Sequence, residues 1–126
     1  VSKLRASDGA VLGRFNVERV PLCVAFDGAN IWVTNYESDS VTKLRASDGA
    51  VLGNFKVGKA PGGVAFDGEN IWVINEDSNN VMKLRTSDGA VLETITVGTF
   101  PLQVAFDGAN TWVSNGTSSS VSKLKK

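Results

Sequence analysis

A unit of 40 residues recurs three times along the chain, at 1–40, 41–80 and 81–120, and residues 121–126 begin it again. Twenty-two of the 40 columns are identical in all three copies. Each copy reads V-x-K-L-R-x-S-D-G-A-V-L, then a variable stretch to proline, then V-A-F-D-G-x-N-x-W-V-x-N. A period of this length belongs to repeat architectures, in which one supersecondary unit stacks on the next, and it excludes a single irregular domain. Residues 1–126 are therefore one repeat array, ending in a partial fourth repeat.

Each period holds four extended runs. Val24-Ala25-Phe26 is short and apolar and stops at Asp27-Gly28. Ile31 to Asn35 is β-branched and aromatic. In Val41 to Arg45 successive side chains point in opposite directions, with Val41, Lys43 and Arg45 on one side and Thr42 and Leu44 on the other. Val51 to Val57 is the fourth run. Asp-Gly between extended runs predicts a tight hairpin turn, because the turn wants a positive φ. No window shows helical periodicity. The predicted strands are A (24–27), B (31–35), C (41–46) and D (50–57), repeated every 40 residues. Four short antiparallel strands per ~40 residues is the pattern of a β-propeller blade. A β-solenoid competes with it, but solenoid coils are usually shorter and lack two Asp-Gly hairpins each.

The fold class is thus all-β: a propeller of four-stranded blades, three per chain. Propellers close with about four to eight blades, and an open arc would expose apolar blade faces and strand edges. Two copies would close a six-bladed homodimeric ring. The alternative is an arc excised from a longer propeller, and the start at Val1, inside a repeat, suits a fragment, a processed chain or an engineered one. Strand C occurs at both ends, as Val1–Arg5 and Val121–Lys125. A shared blade would take A, B and C from one chain and D from the other.

Trp32-Val33-Thr34-Asn35 resembles the Tyr-Val-Thr-Asn motif that names a family of bacterial propeller repeats. The unit V-A-F-D-G-x-N-I-W-V-x-N…S-x-x-V-x-K-L also resembles the related NHL and streptogramin-lyase-like propellers, over all three periods. The resemblance implies the fold. Such repeats serve enzymes, receptors and scaffolds alike. The lyases use histidines and a divalent metal; this chain has no histidine, so that activity is not carried over.

The absence of histidine also removes the commonest general base, the usual triads and the main nitrogen ligand of zinc. The expectation is a protein that is not an enzyme and needs no metal or cofactor. Thirteen basic residues balance 13 acidic ones, without the surplus that generic nucleic-acid binding requires. No apolar run approaches the ~18 residues that cross a bilayer, so no membrane partner is expected. The one cysteine, Cys23, cannot form an intramolecular disulfide and leaves the compartment open.

Several invariant columns read as structural. Trp32, Trp72 and Trp112 sit mid-strand and would fill the space between blades, although an exposed tryptophan row could stack sugars or bases. Asp27, Asp67, Asp107 and Asp8, Asp48, Asp88 precede glycine in turns, where they would cap backbone amides and not form a cation-binding ring. The K-L-R strands would be the solvated outer part of each blade.

Variation between copies is more informative. The A–B and C–D turns (27–30 and 7–10) cover eight columns, of which one varies. The D–A and B–C connections (18–23 and 36–40) cover 11, of which nine vary. Propeller topology puts these two sets on opposite faces, so one face is nearly constant and the other differs from blade to blade. That pattern suits a recognition surface on a rigid scaffold, and it also suits drift in tolerant loops after duplication. The candidate ligand-binding residues are Glu18, Arg19, Leu22, Cys23, Tyr36, Glu37, Asp39, Lys59, Glu76, Asp77, Phe100 and Gln103. Tyr36 and Phe100 would be apolar anchors, and Glu37, Asp39, Glu76 and Asp77 polar contacts. Cys23 and Gln103, with Gly63, would ring one mouth of the central channel. The expected function is a non-catalytic binding or scaffold module for a protein, peptide or glycan. A purely structural, self-assembling fragment is the alternative. An enzyme using only Glu37 and Asp39, or Glu76 and Asp77, as an acid/base pair is the weakest reading.

Overall fold

A computed structural model describes all 126 residues and consists of thirteen strands and one short 3-10 turn, Glu76–Ser78. One complete blade is β3 (Pro21–Phe26), β4 (Asn30–Asn35), β5 (Ser40–Arg45) and β6 (Val51–Lys56), paired antiparallel in that order. The next is β7 (Pro61–Phe66), β8 (Asn70–Asn75), β9 (Asn80–Arg85) and β10 (Val91–Thr96). The third has three strands: β11 (Pro101–Phe106), β12 (Asn110–Asn115) and β13 (Ser120–Lys125). At the other end β1 (Ser2–Leu4) and β2 (Val11–Arg14) form a two-stranded ribbon. Positions A to D of the repeat are therefore all strands, and the chain is a partial β-propeller. Strands β3, β7 and β11 lie side by side, which makes the A position innermost.

Two sequence expectations need correction. Strand A begins at proline, three residues earlier than its apolar run suggests. Pro21 pairs with Asn35 and Val24 with Val33, so Leu22 and Cys23 together oppose Thr34 in a β-bulge. Proline is tolerated as the first residue of a strand because the ladder needs no donor there. The Asp-Gly turns are also wider than tight hairpins. Residues 27–29 join β3 to β4 and residues 46–50 join β5 to β6. The aspartate itself holds the wider loop: Asp27 Oδ1 accepts the amides of Ala29 and Asn30 at 2.9 and 2.7 Å, and Gly28 takes a φ of 100°.

The core lies between blades. Trp32 and Val41 of one blade meet Ile71, Val73 and Leu84 of the next. One period later Trp72, Ile74 and Val81 meet Val104 and Val113. Each indole N–H donates to the turn aspartate five residues earlier, Trp32 to Asp27 and Trp72 to Asp67 at 2.8 Å in both. Trp32 and Trp72 are fully buried, as the column implies, but Trp112 is 37% exposed because no blade packs on it.

Candidate functional site

The D–A and B–C connections do share a face, because they bond to each other. Tyr36 N donates to Val20 O at 2.9 Å and Glu37 N to Arg19 O at 3.3 Å. Ser38 is the one invariant residue of the B–C loop, and its Oγ accepts Arg19 N at 2.9 Å. Ser78 and Ser118 do the same for Lys59 and Thr99. Sequence reasoning passed over this serine, although its invariance in an otherwise variable loop was the available signal.

A second brace crosses from blade to blade. Asp39 Oδ1 accepts Ala60 N at 3.0 Å, and Asn79 Oδ1 accepts Phe100 N at 2.9 Å. The braced amides belong to residues in left-handed conformation: Ala60 at φ 55° and Phe100 at 54°, with Val20 at 53° in the first copy. Non-glycine residues there are strained, the more so when bulky or β-branched. The loop face is thus held by hydrogen bonds.

These braces reassign some candidate residues. Asp39 is half-buried and commits one oxygen to the next blade. Arg19 and Glu37 pair with each other at 2.9 Å in solvent. Glu18 reaches Ser40 Oγ at 2.5 Å. In the other copies position 18 is glycine, and Gly58 N and Gly98 N bond to Asn75 and Asn115. A Cβ at Gly58 would lie 2.6 Å from Asn75 Cγ, so Glu18 cannot sit the same way, and buried Asn35 Oδ1 is left without a partner.

The structure groups Tyr36, Glu76 and Cys23 where the first two blades meet. Glu76 is buried beside Gly62, whose carbonyl accepts Thr34 Oγ1 of the preceding blade at 2.8 Å. Burial raises the Glu76 carboxyl above its usual range and neighbouring Asp77 adds to this, while hydrogen bonding with the Tyr36 phenol opposes it. The Tyr36 phenol is raised in turn, by burial and then by the charges of Glu76 and Asp77. Cys23 is half-buried, and burial followed by Glu76 raises its thiol. That direction is wrong for a thiolate nucleophile.

The remaining candidates are exposed. Asp77 and Lys59 lie in solvent, and Gln103 lies in the third blade's bulge, where its backbone sits against Gly63. Leu22 and Phe100 are exposed apolar side chains, 52% and 37% accessible. Leu102, not among the sequence candidates, adds a third at 38% and packs over Gly116.

No protein-family model matches the chain, and no curated protein matches it. Solved structures do match. Virginiamycin B lyase from Staphylococcus aureus superposes with a TM-score of 0.78 at 14% identity, over 99% of this chain and 48% of that one. BamB from Moraxella catarrhalis gives 0.81 at 12% identity, over 99% and 37%. Hydrazine synthase from Kuenenia stuttgartiensis gives 0.70 at 26% identity, over 75% and 29%. The chain therefore spans less than half the length of each. The lyase and BamB are β-propellers, and the likeness is one of fold.

Proposed function

We propose that this chain is a non-catalytic propeller module that presents its D–A and B–C loop face to a protein, peptide or glycan partner. One observation carries the proposal: apolar side chains at Leu22, Phe100 and Leu102 stand exposed on a loop face whose backbone is cross-braced within and between blades. Exposed apolar groups on a rigid, blade-specific surface are what a partner can desolvate without paying to order the loops. The apolar character favours a protein or peptide over a glycan. The raised Cys23 thiol and the ion-paired Glu37 speak for recognition over catalysis.

The test is to screen the labelled chain against peptide and glycan arrays and then titrate the best hit. Replacing Leu22 and Phe100 together with serine should weaken saturable binding at least tenfold, with the circular dichroism spectrum unchanged. Binding that survives the double replacement, or no saturable binding on either array, would refute this function.

A further inference from the structure

A cavity of about 270 Å³ lies between the β1–β2 ribbon and the first full blade, walled by Val1, Phe15, Val24, Ile31, Leu44 and Gly49. Adding 40 to each number gives Val41, Phe55, Val64, Ile71, Leu84 and Gly89. Those residues surround Trp32 at the next interface: Val41, Ile71 and Leu84 share its core cluster, and Phe55 and Val64 pack against that cluster. The Trp32 and Phe55 ring centroids are 5.8 Å apart. Gly89 abuts Phe55 as Gly49 abuts Phe15. The cavity is thus a tryptophan socket of known occupancy, seen empty at one end of the array. At the other end stands a tryptophan without a socket, Trp112, 37% exposed and followed by Val121 at 62%. Its indole is already prepared as in the inner blades, donating to Asp107 at 2.7 Å with Lys123 Nζ 5.2 Å above the ring.

The geometry points to a second copy of this chain as the occupant: Trp112 of each copy enters the Phe15–Ile31–Leu44 socket of the other. The contact continues an interface the chain makes internally, and it is mutual in a pair. Two copies give six blades, the one multiple of three within the range over which propellers close. This goes beyond the loop-face function and does not depend on it.

The 40-residue offset also gives β1 a role as a placeholder. β1 holds the edge of β2 through three pairs, Ser2↔Arg14, Lys3↔Gly13 and Leu4↔Val11, and all three of its residues are exposed. Lys3 Nζ donates to Ala46 O at 3.0 Å. In the first full blade Lys43 makes this bond, to Thr86 O at 2.7 Å, from a strand paired on both edges. β13 repeats the β1 sequence from Val121 to Leu124, is anchored to β12 through six pairs, and has a free outer edge. As Trp112 docks, β13 displaces the partner's β1 from β2, and Lys123 takes the carbonyl that Lys3 held. In the open chain β1 shields an edge that would otherwise recruit other strands.

The experiment is light scattering on the 126-residue chain with a cysteine trap. The expected mass is about twice 13.3 kDa. Removing residues 1–5 should keep the dimer, whereas Trp112→Glu or Phe15→Glu should raise its dissociation constant on the order of a hundredfold. Exchange places Ser122 of one copy opposite Arg14 of the other. In a Cys23→Ser background, Arg14→Cys with Ser122→Cys should therefore oxidise to a covalent dimer, and neither single variant should do so as fast. A monomer at all concentrations refutes the closure. A dimer lost on removing residues 1–5, or one in which the two introduced thiols stay reduced, refutes the exchange. Arg14 is exposed and Ser122 half-buried, and the trap introduces no charge into the socket, so it reads the pairing even if the glutamate variants fail to fold.

Discussion

Asp67 offers the sharpest test of what holds a blade together. Its two carboxylate oxygens accept three bonds, from Glu69 N at 2.8 Å, Asn70 N at 2.7 Å and Trp72 Nε1 at 2.8 Å. Asp67 and Trp72 are fully buried and Asn70 nearly so, while Glu69 is exposed. Asp67→Ala would leave two donors, Asn70 N and the Trp72 indole, buried without partners, while Glu69 N can turn to water. An orphaned buried donor costs about 1–3 kcal/mol, so the loss should be about 2–6 kcal/mol. That is a large part of the roughly 5–15 kcal/mol that holds a domain folded. Urea denaturation measures it: with a slope of about 2 kcal/mol/M, the midpoint should fall by about 1–3 M at unchanged slope. Asp48→Ala is the control. It removes a carboxylate of the same repeat that caps Ala50 N and pairs with Arg45 in solvent, so the midpoint should move far less. If the two replacements cost the same, or Asp67→Ala costs under about 1 kcal/mol, burial of the indole and amide donors is not what makes this carboxylate matter.

Two further outcomes are expected. Glu76 has a folded pKa raised above its ordinary 4.5, so its ionisation opposes folding once pH exceeds that value. Glu76→Gln should therefore stabilise the chain at pH 7 and lose that advantage below about pH 4.5; thermal melts at pH 7 and 4 check it, and equal gains at both would refute burial of the charge as the cause. Val20 is a β-branched residue at φ 53° and largely exposed, so Val20→Asn should relieve backbone strain and stabilise by about 1 kcal/mol in urea denaturation. A loss of stability would show that the Val20 side chain packs more tightly than its exposure suggests.

The blade was legible in the primary structure. A 40-residue period with four extended runs and two Asp-Gly turns leaves few ways to bury Trp32 and Val41 other than against the next copy of the same unit. The constant face could also be told from the variable one, because loop chemistry is local and the alternation of turns follows from strand order. Which variable residues are free to act emerged only from the folded chain. Asp39, Arg19, Glu37 and Glu18 read as open polar contacts, but their partners lie 18 to 22 residues away: strand pairing within one blade brings Arg19 to Glu37 and Glu18 to Ser40, and stacking of the next blade brings Ala60 to Asp39. Leu22 and Cys23 read as loop residues because their bulge depends on Pro21 pairing with Asn35, which is not a local property. The three tryptophans occupy the same column of the repeat, yet two are sealed and one stands open, since burial of each depends on whether a following blade covers it.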